Sequence, residues 1–217
     1  MKKYALFDMD NTLLQGRFID TAAEKFSFEK ELQVIRNLEI DSFQRTNRIS
    51  ELMKGQAVDK LLEIIDGIPL IEDAADTIKE IKELGYTIAI VSDSYDVVVE
   101  EVGRKVEADF CFSNTIEIAE GKVTGKVNVP SYFLKRSDST CQHEICKGHL
   151  LAKLMSENRV PKEHIISVGD SENDICMIKN SGIGISFCST CDELNSSASF
   201  QITKKSFAEL IDLIKGI

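Results

Sequence analysis

Apolar positions along this chain switch repeatedly between two periods. In "EDAADTIKEIKELG" Ala74, Ala75, Ile78, Ile81 and Leu84 recur three and four residues apart, which predicts an amphipathic helix ending at Gly85. "YTIAIV" follows as a short unbroken apolar run, the pattern of a strand buried on both faces. The same unit returns further on. "KGHLLAKLMSEN" reads as a helix, Pro161 punctuates, "HIISVG" reads as a strand, and "ENDICMIKNSG" as a helix ending at Gly182. "GIGISF" and "ASFQI" read as two more strands, and "SFAELIDLIKG" as a closing helix with Ser206 at its N-cap. "YALF", near the start, is a further short apolar run.

Strands alternating with helices predict an α/β fold, a Rossmann-like parallel sheet flanked by helices. Two segments interrupt the alternation. From Phe18 to Gly67 the pattern is helical with no convincing strand, far longer than an ordinary connection. It reads as an inserted helical cap, residues 17–67, on a core formed by 1–16 and 68–217. "TIEIAEGKVTGKV" alternates on both sides of Glu120-Gly121 and predicts a small β-hairpin.

At 217 residues the chain can bury a sizeable core, and its formal net charge of -10 argues against a surface that tracks a phosphate backbone. Nucleic acid is therefore not an expected partner. The opening "MKKYALFDMD" is too short in its apolar part for a signal-peptide core, and no run approaches the roughly 20 apolar residues that span a bilayer. The expectation is a soluble, cytoplasmic protein with no membrane partner. The sequence leaves the oligomeric state open.

Six cysteines are present, and reduced thiols are the expected state in that compartment. "CQHEICKGH" gathers Cys141, His143, Cys146 and His149, and "CSTC" adds Cys188 and Cys191, so a soft-metal site is an alternative. The spacing does not match the usual finger patterns, and buried or surface cysteines are the preferred reading.

In an open parallel sheet ligands bind beyond the carboxyl ends of the strands. Asp8 and Asp10 follow "YALF", Ser92 follows "YTIAIV", and Asp170 follows "HIISVG", so parallel strands would bring them to one edge. Taken singly each has an ordinary explanation. An Asp after a strand caps or turns, Ser92 caps the next helix, Lys147 is solvated, Asp174 is a first-turn acid and Asn173 a turn residue. Together, Asp8, Asp10, Asp170 and Asp174 repel one another unless a cation neutralises them, and oxygen-only donors suit Mg²⁺. Lys147 and the Ser92 hydroxyl would hold an anion beside such a metal, and a phosphate meets that description.

"DMDNT", a serine closing a strand, a lysine opening a helix and "GDSEND", in that order, resemble the four motifs of the haloacid dehalogenase superfamily. The helical insertion resembles that superfamily's C1 cap, and the layout is similar to phosphoserine phosphatases. The resemblance implies a phosphoric monoester hydrolase in which Asp8 is the nucleophile that becomes an aspartyl phosphate. Asp10 would be general acid and then base, with its carbonyl on the metal. Thr12 would shape the loop, Ser92 and Lys147 would hold the phosphoryl group, and Asn173 would contact the phosphate or the loop. Asp8, Asp10, Asp170 and Asp174 would form the Mg²⁺ site, Asp174 either directly or behind it.

The sequence departs from phosphoserine phosphatases at the residues that meet the rest of the substrate. The family's amine-binding glutamate falls at Arg17, which bears the opposite charge. The arginine that grips the substrate carboxylate corresponds to Arg48, with Arg45 as a rival, and the Gly-Gly after the second-motif serine is Asp93-Ser94. Arg17 and Arg48 favour an amine-free phosphorylated acid or sugar phosphate, unless Asp93 replaces the missing amine partner. The partner expected is thus a small phosphorylated metabolite. Transfer to an acceptor alcohol instead of water, and a binding module without turnover, are the competing functions.

Overall fold

The computed structural model describes residues 2–135 and 141–216. In chain order the elements are β1 (Lys3–Phe7), α1 (Phe18–Phe26), α2 (Glu29–Arg36), α3 (Ser42–Leu52), α4 (Val58–Gly67), α5 (Ala74–Glu83), β2 (Tyr86–Tyr95) and α6 (Asp96–Lys105). Then come β3 (Phe110–Ala119), β4 (Lys122–Asn128), α7 (Lys147–Asn158), β5 (Ile165–Gly169), a 3-10 turn (Glu172–Asp174), α8 (Ile175–Asn180), β6 (Ile183–Phe187), α9 (Asp192–Ser197), β7 (Phe200–Ile202) and α10 (Ala208–Lys215).

Among the described residues the strands form one seven-stranded sheet in the order β4-β3-β2-β1-β5-β6-β7, parallel except for the β3–β4 hairpin. This is the α/β architecture that the alternation predicts. One apolar cluster runs from Phe7, Ile88 and Ile90 through Phe187 to Phe207 and Ile211, with α5, α6 and α10 against it; a second, around Leu6, Val91, Leu150 and Met177, lies under α7 and α8. The strand interiors are apolar on both faces because helices cover both faces. The closing helix begins one residue later than its sequence pattern suggests, after Phe207, but the Ser206 hydroxyl still accepts from the Ala208 N–H. No helix among the described residues is long and apolar enough to cross a membrane.

The helical insertion consists of α1 to α4. The chain leaves and returns side by side: Leu14 bridges Leu70, the Gln15 N–H donates to the Pro69 carbonyl, and the Ile71 N–H donates to the Leu13 carbonyl. The predicted hairpin turns at Glu120 and Gly121, both with positive φ, as a two-residue turn matched to strand twist requires. Its tip reaches the insertion, where the Val58 N–H donates to the Gly121 carbonyl and the Gly55 N–H to Val123. Lack of a side chain at Gly125 permits this docking, since a Cβ there would lie 3.1 Å from the Lys54 Cβ.

Candidate active site

β2, β1 and β5 are neighbours and parallel, so the residues that follow them converge. Asp8 leaves β1 with its N–H on the Val168 carbonyl, and the residue is almost closed off from solvent, at 4% exposure. Ser92 does not lie beyond its strand: β2 continues to Tyr95, and the register with β3 shifts between Val91 and Tyr95. The sequence pattern missed this because the polar residues Ser92 to Ser94 interrupt the apolar run although the backbone goes on pairing. The irregularity buries the Ser92 hydroxyl, which accepts from the Ser94 N–H at 3.1 Å.

Lys147, the first residue of α7, is also buried. Its Nζ donates to Asp8 Oδ1 at 2.5 Å and to Asp174 Oδ1 at 2.7 Å. Asp174 in turn organises the loop after β5. Its Oδ2 accepts from the N–H groups of Asp170 and Ser171 at 3.1 Å and from the Ser171 hydroxyl at 3.2 Å. Only glycine fits at 169, because a Cβ there would lie 2.4 Å from the Asp174 carboxyl carbon. Asp174 is therefore more than a first-turn acid: it anchors both the ammonium and the loop that presents Asp170.

Carboxylate oxygens of Asp8, Asp170 and Asp174 lie within 4.8 Å of one another. Burial raises the Asp8 carboxyl well above the ordinary range, despite the opposing pull of Lys147 and with added push from Asp174, Asp170 and Asp10. Burial and Asp174 likewise raise Asp170. One ammonium thus leaves negative charge uncompensated among oxygen-only donors, which are the conditions that fit a hard divalent cation such as Mg²⁺. Asp10 is set apart. Its Oδ1 accepts from the Phe18 N–H at 2.6 Å, and burial pushes its pKa up to about 7 against the lowering effect of that bond.

A cavity of about 620 Å³ adjoins this cluster, lined on the sheet side by Asp10, Asn11, Asp93, Asp170 and Asn173, and on the insertion side by Arg17, Arg36 and Arg45. Arg17 faces the cavity, not bulk solvent. Burial would lower its pKa, but Asp93, Asp10 and Asp170 outweigh it and keep the guanidinium charged. The Nε–H donors of Arg17 and Arg45 are buried with no partner among the described residues.

Arg48 does not fit the position expected of it. Ser42, Arg45, Thr46 and Ile49 form the stripe of α3 that lines the cavity, and Arg48 lies outside that stripe and is exposed. At about 100° per residue it is turned well away from the stripe, so Arg45 takes the place on this wall. Asn173 donates its amide to Asp93 Oδ2 at 2.8 Å, a contact between the loop after β5 and strand β2. Sequence reasoning missed Asn11, whose amide donates to Asp170 Oδ2 at 3.3 Å, and whose positive φ is a turn signal that Asn tolerates. It also missed Arg36, which pairs with Asp20 at 2.7 Å across the insertion. Thr12 is fully buried under this loop.

A family model described as "Putative Phosphatase" matches residues 4–184. The chain is 33% identical to the phosphoserine phosphatase of Methanocaldococcus jannaschii over 99% of this chain and 98% of that protein. It is 27% identical to the phosphoserine phosphatase of Archaeoglobus fulgidus over 99% of this chain but only 60% of that protein, so it spans rather more than half of that relative. A solved phospho-aspartyl intermediate analogue of phosphoserine phosphatase superposes with a TM-score of 0.82 at 31% identity over 98% of both chains. A substrate-bound phosphoserine phosphatase complex does so with a TM-score of 0.82 at 30% identity, again over 98% of both.

Proposed function

The chain belongs to the phosphoserine phosphatase-like family of the haloacid dehalogenase superfamily, a family of phosphoric monoester hydrolases, and from there we propose that it hydrolyses a small phosphorylated carboxylic acid through an aspartyl phosphate on Asp8. The observation that carries this reading is the buried Asp8–Lys147–Asp174 arrangement at the strand ends, beside Asp10 and Asp170.

In the first step an Asp8 carboxylate oxygen bonds to phosphorus as the bond from phosphorus to the ester oxygen breaks. Asp10, with a pKa near neutrality, gives its proton to the departing alkoxide. In the second step Asp10 takes a proton from water, the water oxygen bonds to phosphorus, and the Asp8–phosphorus bond breaks to release phosphate. The Phe18 N–H holds the Asp10 carboxyl in place for both transfers. Lys147 and Ser92 carry the phosphoryl oxygens, and Asp174 holds Lys147 and the Asp170 loop in register. Asp8, Asp170 and the Asp10 carbonyl would hold Mg²⁺, with Asp174 bound directly or supporting from behind. When bound, the ion supplies positive charge that neutralises the carboxylates and the phosphoryl oxygens.

Residues 17–67 act as a cap over a core of 1–16 and 68–217, supported by the paired crossing at Leu14 and Leu70. From the cap, the guanidinium groups of Arg17 and Arg45 line the cavity, and each has an Nε–H without a partner among the described residues, so they are the groups to meet the substrate carboxylate. An amine-free acid suits Arg17 best. L-phosphoserine is the second reading, favoured by the names of the relatives and by the Asp93 carboxylate on the cavity wall, which accepts hydrogen bonds from an ammonium. Phosphate release from L-phosphoserine, phosphoglycolate, phosphorylated hydroxy acids and sugar phosphates, with Mg²⁺ and with EDTA, tests both. Hydrolysis led by an amine-free acid supports the first reading, and a lead for L-phosphoserine supports the second. Failure of every phosphomonoester, or preferred transfer to an added alcohol, overturns the hydrolase.

A further inference from the structure

The cysteine and histidine side chains that the mechanism does not use are sorted by the fold. His149 stands outside the cluster that forms, its buried Nε2–H donating to the His143 carbonyl at 2.8 Å. Cys188 and Cys191 lie after β6, away from the others. Cys176, in the first turn of α8 and some thirty residues beyond Cys146 in sequence, joins Cys141, His143 and Cys146 instead, with three sulfurs and one ring nitrogen all within 4.8 Å of one another. Cys141 Sγ lies 3.2 Å from His143 Nδ1 and 3.5 Å from Cys176 Sγ, and Cys176 Sγ lies 3.6 Å from His143 Nδ1.

These separations are close to the edges of a metal tetrahedron. With zinc–sulfur bonds of about 2.3 Å and zinc–nitrogen bonds of about 2.0–2.1 Å, tetrahedral geometry puts ligand atoms roughly 3.5–3.8 Å apart. Two further features are built for the arrangement. A Cβ at Gly148 would lie 2.8 Å from the Cys176 Cβ and 3.4 Å from Cys146 Sγ, so glycine lets α7 and α8 approach closely enough to share the site. Cys146 caps α7 with its sulfur accepting from the Gly148 N–H at 3.3 Å, which places a helix N-terminus against the charge of a thiolate. A cavity of about 330 Å³ touches His143, Cys146 and Cys176 and gives an ion a way in.

We propose that Cys141, His143, Cys146 and Cys176 form a structural site for a soft divalent cation, zinc foremost. Four protein ligands close the coordination shell, so the ion is a brace and not a catalyst. Three sulfurs exclude Mg²⁺ from this site, just as the oxygen-only donors around Asp8 are the poorer zinc site. Its consequence lies in the positions of the ligands: Cys146 precedes Lys147, and Cys176 follows Asp174 by two residues. One ion therefore ties together the two helix starts that carry the buried ammonium and the carboxylate anchoring it. The proposal rests on sulfur and nitrogen positions alone and stands whether or not the hydrolase reading does.

The test is metal analysis of the full chain, purified with zinc and dialysed against excess Mg²⁺, together with Cys141→Ser, Cys176→Ser and Asp8→Asn. The wild type and D8N are expected to hold about one zinc per chain and the two serine variants about none. Circular dichroism checks that each variant is folded. Co²⁺ exchanged into the wild type should give intense visible bands with sulfur-to-metal charge transfer, absent in C176S. Zinc well below one per wild-type chain, zinc retained by C176S or lost from D8N, a weak octahedral Co²⁺ spectrum, or a Cys141–Cys176 disulfide in freshly purified protein would overturn the site. If a serine variant does not fold, the wild-type zinc ratio and Co²⁺ spectrum decide alone.

Discussion

The base and the insertion-side wall of the large cavity are both built from charged residues, but the two are organised differently. At the base, Asp8, Lys147 and Asp174 are buried and bonded to one another, and the backbone of the Asp170 loop is drawn into the same network. On the wall, Arg17 precedes α1 and Arg45 lies on α3, and each keeps a buried Nε–H with no partner among the described residues. A pre-arranged base suits chemistry that must be the same for every phosphomonoester, because it costs no reorganisation at the moment of reaction. A wall with unspent donors suits selection of whatever the phosphate is attached to. On the proposed reading, the difference assigns reaction and substrate choice to separate parts of the chain.

The base is the place to break that division first. Asp8→Asn should lower turnover by on the order of 10⁴-fold or more while circular dichroism stays native, since it removes the attacking oxygen and little else. Activity within tenfold of wild type in a pure sample would remove Asp8 as nucleophile. Lys147→Met should lower kcat on the order of 10²–10³-fold. It should also destabilise by about 3–5 kcal/mol in urea unfolding, because Asp8 and Asp174 are left buried and unpaired. An unfolding midpoint equal to wild type would show that those carboxylates find other compensation.

Metal removal sharpens the same contrast. The folded state holds the Asp10 carboxyl up at about 7, and burial raises Asp8 too, against about 3.9 for an aspartate in an unfolded chain. Folded protein thus binds more protons than unfolded between those values, so stability of the metal-free chain should fall as pH rises from about 4 to about 7. Mg²⁺ should flatten the fall, which thermal unfolding with Mg²⁺ and with EDTA reads directly. A metal-free midpoint that rises over this range would contradict the burial argument.

The wall should respond more mildly and in KM. Arg45→Ala should raise KM about tenfold, the loss of one charged hydrogen bond, with kcat changed less. Arg48→Ala, three residues along α3 but outside the lining stripe, should stay within about twofold on both. Equal effects of the two substitutions would mean that the exposed face of α3 also meets substrate.

Legibility followed the same boundary. The βα alternation, the insertion and the hairpin could be read because burial imposes its period on the sequence directly, and the convergence of Asp8 and Asp170 could be read because parallel strands deliver their ends to one edge. The exact reach of β2 could not, since its irregular segment is polar. Nor could the wall. Which of Arg45 and Arg48 faces inward depends on how α3 is rotated against the core, and that rotation is set partly by contacts with the hairpin, where Ser50 donates to the Gly125 carbonyl. Arg36 was invisible because nothing near it in sequence marks α2 as a cavity wall.

What the amino-acid order determined by itself is therefore the sheet and its crowded carboxyl edge. Tertiary structure alone decided which arginines turn inward, that Asp174 is the anchor of Lys147, and that Cys176 replaces His149 beside Cys141, His143 and Cys146. The physical reason is distance along the chain. Periodicity and strand-end chemistry are local and leave a local trace, whereas side chains from separate elements meet only after helices have settled against one another, and no spacing in the sequence records that meeting.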